Sequence, residues 1–204
     1  QFFPKRGGPH EGFVVKSSRQ KRRQQVIHRQ NIKTQRRPTV LAGGNQPLVV
    51  DVQGVAVGIT VCEDIWHPGP CMQAKEAGAD LLLNLNASPF HEAKLAERMA
   101  VAQKRVADTG LPMFYCNLVG GQDELVFDGR SMMFAVDGQC QYMSPACAED
   151  LAVLTLAEDS QSLKNASSAP AVADIEELSE IYNAIVLAVR DYVQKNGFPG
   201  VVLG

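Results

Sequence analysis

The run Leu81-Leu82-Leu83-Asn84-Leu85-Asn86 is apolar on both faces of a pleated strand, and this constrains the fold more than any other stretch. Successive side chains on a strand point to opposite faces, so such a run belongs at the centre of a sheet covered on both sides. The residues before it supply neighbours. Leu48-Val49-Val50-Asp51-Val52 reads as a strand, Gln53-Gly54 as a tight turn, and Val55 to Val61 as a returning β-rich strand. Pro68 to Gly78 reads as a short helix closed by Gly78. After the apolar run, Ser88-Pro89 turns into a helix from about Glu92 to Ala107, with Leu95, Met99, Ala102 and Val106 at helical spacing.

Gly110-Leu111-Pro112 breaks that helix, and Met113 to Val119 is expected as another strand. Phe134 to Gln139 is expected as a hairpin turning at Asp137-Gly138. A strand at Leu151–Leu156, a polar linker from Ser160 to Pro170 and an amphipathic helix from Ile175 to Val193 follow. Pro199 to Gly204 is expected to begin a further strand. Strands and helices interleave, so the expected class is α/β.

Charge divides the chain. Residues 1–38 carry eleven Lys and Arg against the single acid Glu11, whereas the remainder carries nine bases against twenty-one acids. The first segment has few apolar residues beyond Phe2, Phe3, Phe13, Val14 and Val15, too few to offset its ordering entropy if isolated. A basic arm of this kind can dock on nucleic acid. Few aromatics to stack bases and an acidic remainder speak against that role. No apolar run is long enough to cross a bilayer and no signal-like segment opens the sequence, so the expected location is cytoplasmic.

Cys62, Cys71, Cys116, Cys140 and Cys147 form neither a disulfide framework nor a Cys-x-x-Cys clip. His10, His28, His67 and His91 have irregular spacing, so no metal site is expected. Cys62 stands apart because it follows a buried strand, at the rim of a sheet where substrates bind, and is followed by Glu63 and Asp64. A thiol placed there suits nucleophilic catalysis if a base or cation helps it to ionise. A buried inert thiol is the competing reading.

Three strings settle the weighting. Val61-Cys62-Glu63-Asp64-Ile65-Trp66 is followed by Asn84-Leu85-Asn86-Ala87-Ser88-Pro89-Phe90-His91, then by Gly120-Gly121-Gln122-Asp123-Glu124-Leu125-Val126-Phe127-Asp128-Gly129. In this order and spacing they resemble the nitrilase-like glutaminase domain of glutamine-dependent NAD⁺ synthetases, over about residues 39–204. The resemblance implies a partial nitrilase-like αββα sandwich, then a linker helix and the first strand of a truncated synthetase domain. The implied division is a basic segment at 1–38, the C-terminal part of the glutaminase domain at 39–160, and linker, helix and synthetase start at 161–204.

The resemblance also implies chemistry. Cys62 is the expected nucleophile in glutamine amide hydrolysis, supplying ammonia for ATP-dependent amidation of deamido-NAD⁺ by a ligase. Glu63, Ser88 and Lys94 are candidates for holding the glutamine head; an ordinary ion pair for Glu63, a helix cap for Ser88 and a solvated helix face for Lys94 compete. Gln122, Asp123 and Glu124 are expected in the site wall or the ammonia path, or as a hydrogen-bonded turn. ATP and Mg²⁺ are implied for the full-length family but not for this stretch, together with a homo-oligomer. A free-standing amidase of the carbon–nitrogen hydrolase superfamily is the alternative enzyme.

The sequence departs from the family pattern before Cys62. The proton-shuttling glutamate has no counterpart, and Arg29 stands where the catalytic lysine is expected, a substitution that changes both size and charge distribution. The abrupt loss of pattern suggests that residues 1–38 derive from a shifted reading frame or a damaged gene. Alone, the 204 residues are expected to make no NAD⁺ and to hydrolyse glutamine poorly or not at all.

Overall fold

The computed structural model describes residues 12–17 (backbone only), 46–157 and 176–202. Strands are β1 (Gly12–Ser17), β2 (Leu48–Val52), β3 (Val55–Val61), β4 (Leu81–Asn86), β5 (Met113–Asn117), β6 (Val119–Gln122), β7 (Leu125–Asp128), β8 (Met132–Phe134), β9 (Cys140–Met143) and β10 (Asp150–Thr155). Helices are α1 (Pro68–Glu76), α2 (Lys94–Thr109) and α3 (Glu177–Asn196), and a 3₁₀ turn spans Cys62–Trp66. Six strands form one mixed sheet in the order β2-β3-β4-β5-β8-β9. Its centre is parallel, β3 with β4 and β4 with β5, because α1 and α2 carry the chain back across the sheet between them.

The all-apolar run lies where its pattern requires. Leu81, Leu82 and Leu83 are buried in β4, with Leu82 facing α1 and α2, and Leu81 and Leu83 facing the opposite way. On the helix side Ile65, Cys71, Leu95, Ala102, Val106 and Phe134 share one core. On the other side Val57, Leu81, Leu83, Phe114 and Met133 pack with Leu154 and Leu156 from the β10 segment. β10 pairs antiparallel with β1, so the order across the molecule is helices, six-stranded sheet, two-stranded ribbon. This is an α/β fold in which part of an αββα sandwich is present.

Close helix approach needs Gly58. A Cβ there would stand 2.9 Å from the Ala74 Cβ on α1 and 3.1 Å from the Ala79 Cβ. A side chain at 58 would push α1 off the sheet.

Several boundaries differ from the sequence expectation, each for a local reason. α2 starts at Lys94 rather than Glu92 because Ala93 takes a left-handed φ of 60°. It runs on to Thr109, whose hydroxyl donates to the Arg105 carbonyl and accepts from the Leu111 N–H. The strand expected over 113–119 divides at Leu118, since β5 stays in the main sheet while β6 leaves it to pair with β7. β1 lies within the segment expected to lack order; the antiparallel ladder to β10 supplies the backbone partners that an isolated stretch would lack. The strand expected from Pro199 does not form over the described residues 199–202, which follow α3 without a ladder partner. Arg29 and the linker Ser160 to Pro170 lie outside the described residues.

Candidate active site around Cys62

β3 and β4 run parallel, and their C-terminal ends share one edge of the sheet. Cys62 is the first residue past β3 and adopts φ +49°, a left-handed conformation uncommon for a residue with a Cβ. Such an arrangement persists only where surrounding contacts over-determine it. Here the Val61 N–H donates to Asp64 Oδ2 at 2.8 Å, closing the turn, and Ile65, 1% exposed, anchors the turn in the core. The thiol is half-buried at the sheet edge.

The loop after β4 stands beside this turn and is held by an arginine. Arg98, on α2, is 1% exposed and uses every N–H it has. Its Nη1 donates to both carboxylate oxygens of Asp128 at 2.8 and 2.9 Å. Its Nη2 donates to the Ser88 and Pro89 carbonyls, each at 2.9 Å, and its Nε to Ser88 Oγ at 3.1 Å. Burial pushes the Asp128 carboxyl up, and the Arg98 guanidinium pulls it back. Asn117 completes the grip: its Oδ1 accepts from the Ser88 N–H at 2.9 Å and its Nδ2 donates to the Gly129 carbonyl at 2.9 Å.

Tyr115 links this loop to the thiol. Burial pushes its phenol up to about 12, the Arg98 charge and a hydrogen bond with Ser88 draw it down, and the Cys62 sulfur adds a small upward push. Tyr115, Ser88, Arg98 and Cys62 therefore share one neighbourhood. Along the same edge Asn84 donates to Thr60 Oγ1 at 3.0 Å, joining β4 to β3 just before the turn, and Asn86 donates to Asn84.

Lys94 is brought to the same turn from α2. Its ammonium lies 4.6 Å from the centre of the Trp66 ring and 2.8 Å from Glu97 Oε2, and this contact draws the Glu97 carboxyl below its ordinary range. Glu63 is exposed next to Cys62. Gln122, Asp123 and Glu124 occupy the tip of the β6–β7 hairpin, where Gln122 donates to Asp123 Oδ2 at 3.2 Å. The tip is three ladder positions, roughly 10 Å, from Asp128. A cleft of about 220 Å³ opens between residues 90–96 and the first turn of α3, with Lys94, Asp128, Glu177 and Glu180 in its wall.

Burial pushes Cys71, Cys140 and Cys147 up to about 11 and Cys116 upward. Among the described residues no group of three His, Cys, Asp or Glu is arranged for a metal ion. None of the described helices is long and apolar enough to cross a membrane. Arg98, Asp128, Tyr115 and Asn117 were not singled out in the sequence. One signal was available: Arg98 continues the buried stripe of Leu95, Ala102 and Val106, and a charge on such a face requires a buried partner.

Comparison with known proteins agrees with this geometry. The carbon-nitrogen hydrolase family matches residues 8–165. The glutamine-dependent NAD(+) synthetase of Rhodobacter capsulatus is 41% identical over 150 residues, covering 74% of this chain and 27% of that protein. The enzyme of the same name from Aquifex aeolicus is 36% identical over 190 residues, covering 79% and 34%. The solved glutamine-dependent NAD+ synthetase from Acinetobacter baumannii, in complex with ADP, superposes with a TM-score of 0.71 at 37% identity, over 78% of this chain and 30% of that one. An amidase of the nitrilase superfamily from Nesterenkonia shares the fold, with a TM-score of 0.52 at 19% identity over 78% of this chain and 61% of that one. The chain spans only about a third of the length of these curated relatives, 34% for the enzyme from Aquifex. It belongs to the carbon-nitrogen hydrolase family, and matches there the nitrilase-like portion of the glutamine-dependent NAD⁺ synthetases.

Proposed function

We propose that Cys62 is the nucleophile of a glutaminase site that supplies ammonia to a longer NAD⁺ synthetase. The observation that carries this reading is the left-handed turn that lifts Cys62 off the end of β3, between Glu63 and the Ser88 loop. In the reaction the Cys62 thiolate attacks the glutamine side-chain amide carbon, the C–N bond breaks, and ammonia leaves with a proton. Water then cleaves the thioester, releasing glutamate and restoring the thiol.

In this reading Glu63 pairs with the substrate ammonium and Lys94 with its carboxylate, while Ser88 orients the loop between them. Gln122, Asp123 and Glu124 line the wall that the ammonia passes. Of the proton shuttle and the oxyanion-stabilising cation that the family resemblance implies, the glutamate has no counterpart in these residues and Arg29 stands where the lysine is expected. Thiol capture is therefore expected to outlast turnover. ATP, Mg²⁺ and deamido-NAD⁺ belong to the longer protein, a cytoplasmic homo-oligomer in this reading.

The test is intact mass after treatment with an electrophilic glutamine analogue, for the 204-residue chain and its Cys62→Ala variant. One adduct on the first and none on the second is expected, with little or no ammonia released from glutamine. An adduct that survives Cys62→Ala overturns the assignment. So does a folded chain that ignores the analogue while iodoacetamide still modifies Cys62.

A further inference from the structure

Gly120 and Gly121 lie against α3 rather than against Cys62. Asp191, 1% exposed although charged, accepts the Gly121 N–H at 3.0 Å through Oδ2, and Lys195 donates to the Gly121 carbonyl. A Cβ at position 121 would stand 3.0 Å from the Ala188 Cα and 3.2 Å from the Ala188 carbonyl oxygen. The two glycines thus form a notch that only a bare backbone can present to the helix. A second tie holds the other end of α3, where Arg130 pairs with Glu180.

Across the hairpin the partner of Gly121 is Val126. The Val126 carbonyl accepts the Phe90 N–H at 2.8 Å, and Asp128 on the same strand anchors Arg98, which holds the Ser88 and Pro89 carbonyls. One ladder position therefore grips α3 on one strand and the Ser88–Phe90 loop on the other. That loop leaves β4 beside the Cys62 turn, since Val61, the residue before Cys62, pairs with Leu85 across the parallel β3–β4 ladder.

We propose that α3 braces the Cys62 site: docking of Asp191 into the Gly120–Gly121 notch sets the Ser88–Phe90 loop, and displacing α3 changes the reactivity of the thiol. Asp191 is then a positioning residue, acting through the β6–β7 hairpin. Any domain that pulls on α3 in a longer chain gains a mechanical line to the thiol. The proposal rests on Cys62 being the reactive thiol of the site, and it deepens that reading by giving the site a control point.

The experiment uses the whole 204-residue chain with Asp191→Ala and Gly121→Ala. It follows amide exchange across 184–196, at Phe90 and in β4, and the rate of iodoacetamide modification at Cys62 with Cys140 as internal control. Expected are faster exchange in α3 and at Phe90, unchanged exchange in β4, and a Cys62 rate altered about twofold or more while Cys140 stays constant.

Opening of α3 without any change at Phe90 or Cys62 overturns the brace. Unchanged exchange in α3 overturns the notch. A parallel rise at Cys62, Cys140 and β4 is general loosening and also overturns it. Should Gly121→Ala or Asp191→Ala fail to fold, Lys195→Ala removes a partly exposed contact to the Gly121 carbonyl together with the pairing to Asp191, and allows the same comparison. Failure of the glutamine analogue to label Cys62 bears on the glutaminase reading alone, because iodoacetamide and amide exchange need no substrate pocket.

Discussion

At positions 71, 140 and 147 burial pushes the thiol up to about 11, so at pH 8 only about one part in a thousand of each is thiolate. Cys62 sits instead at an open sheet edge on a turn whose backbone is held in a left-handed conformation. Limited iodoacetamide treatment of the folded chain at pH 8, read by peptide mapping, should therefore modify Cys62 first. The buried thiols should gain on it as the pH approaches 11, because a raised pKa delays thiolate formation. Equal modification of Cys71 and Cys62 at pH 8 would sink this ordering. Arg98 gives the second prediction at this scale. Truncation to Ala strands the Asp128 carboxyl, 5% exposed, and breaking such a buried pair costs roughly 3–5 kcal/mol. Urea unfolding monitored by circular dichroism should show a loss of that order, with no comparable loss for Glu97→Ala on the exposed face of the same helix. Cys62 was legible as a candidate because a cysteine at a strand end has a recognisable string around it. The guanidinium clamp was not, because its partner lies thirty residues away and only the fold brings them together.

Elements built from local contacts were readable almost to their ends. β2, β3 and β4 follow directly from β-rich runs and a Gln-Gly turn, and the hairpin at Asp137-Gly138 follows from its turn residues. Elements whose existence depends on a distant partner were less legible. Met113 to Val119 reads as one strand because nothing in it marks the change of sheet at which Val119 begins β6; the cause is Leu118, whose N–H bonds to the Asn86 carbonyl while its own carbonyl accepts the Gly129 N–H. The 3₁₀ turn after β3 offers a test of how an element presents a residue. Asp64→Ala removes the acceptor for the Val61 N–H and should cost about 1 kcal/mol, as loss of a helix cap does. Because that bond also fixes the turn carrying Cys62, thiol modification should change by more than it does for Glu63→Ala. Gly58→Val probes the layer below. Its side chain would meet Ala74, Ala79 and Leu82, and overpacking of this kind costs about 1–3 kcal/mol. A midpoint equal to the parent protein's in urea would show that α1 can shift without penalty.

Across the whole molecule the sheet has a helix layer on one face and the β1–β10 ribbon on the other, which is why β4 can be apolar on both sides. Outer surfaces are less complete. Leu151 and Val153 of β10 and the stripe of Leu178, Tyr182, Ile185 and Val189 on α3 are exposed. Stability of the chain as it stands rests on the two inner cores, and the helix-side core holds Cys71, Cys140 and Tyr115, groups that respond to alkali. Cys71, Cys140 and Cys147 move from an ordinary 9.0 to about 11 on folding, and Tyr115 from 10.0 to about 12, each chiefly through burial. Their folded values lie above the unfolded ones, so the unfolded chain releases these protons first. Between about pH 9 and 11 it binds fewer protons than the folded chain, and stability must fall as pH rises through that window. The stabilisation from keeping these groups neutral is fully present below pH 9 and is exhausted once the folded groups ionise. Urea midpoints measured from pH 8 to 10.5 should decline steadily, and Tyr115→Phe should flatten the upper part of the curve by removing one of the titrating groups. A midpoint that held constant across the window would mean that the thiols and the phenol are already open to water in the folded chain, and the packing of the helix-side core would have to be abandoned with it.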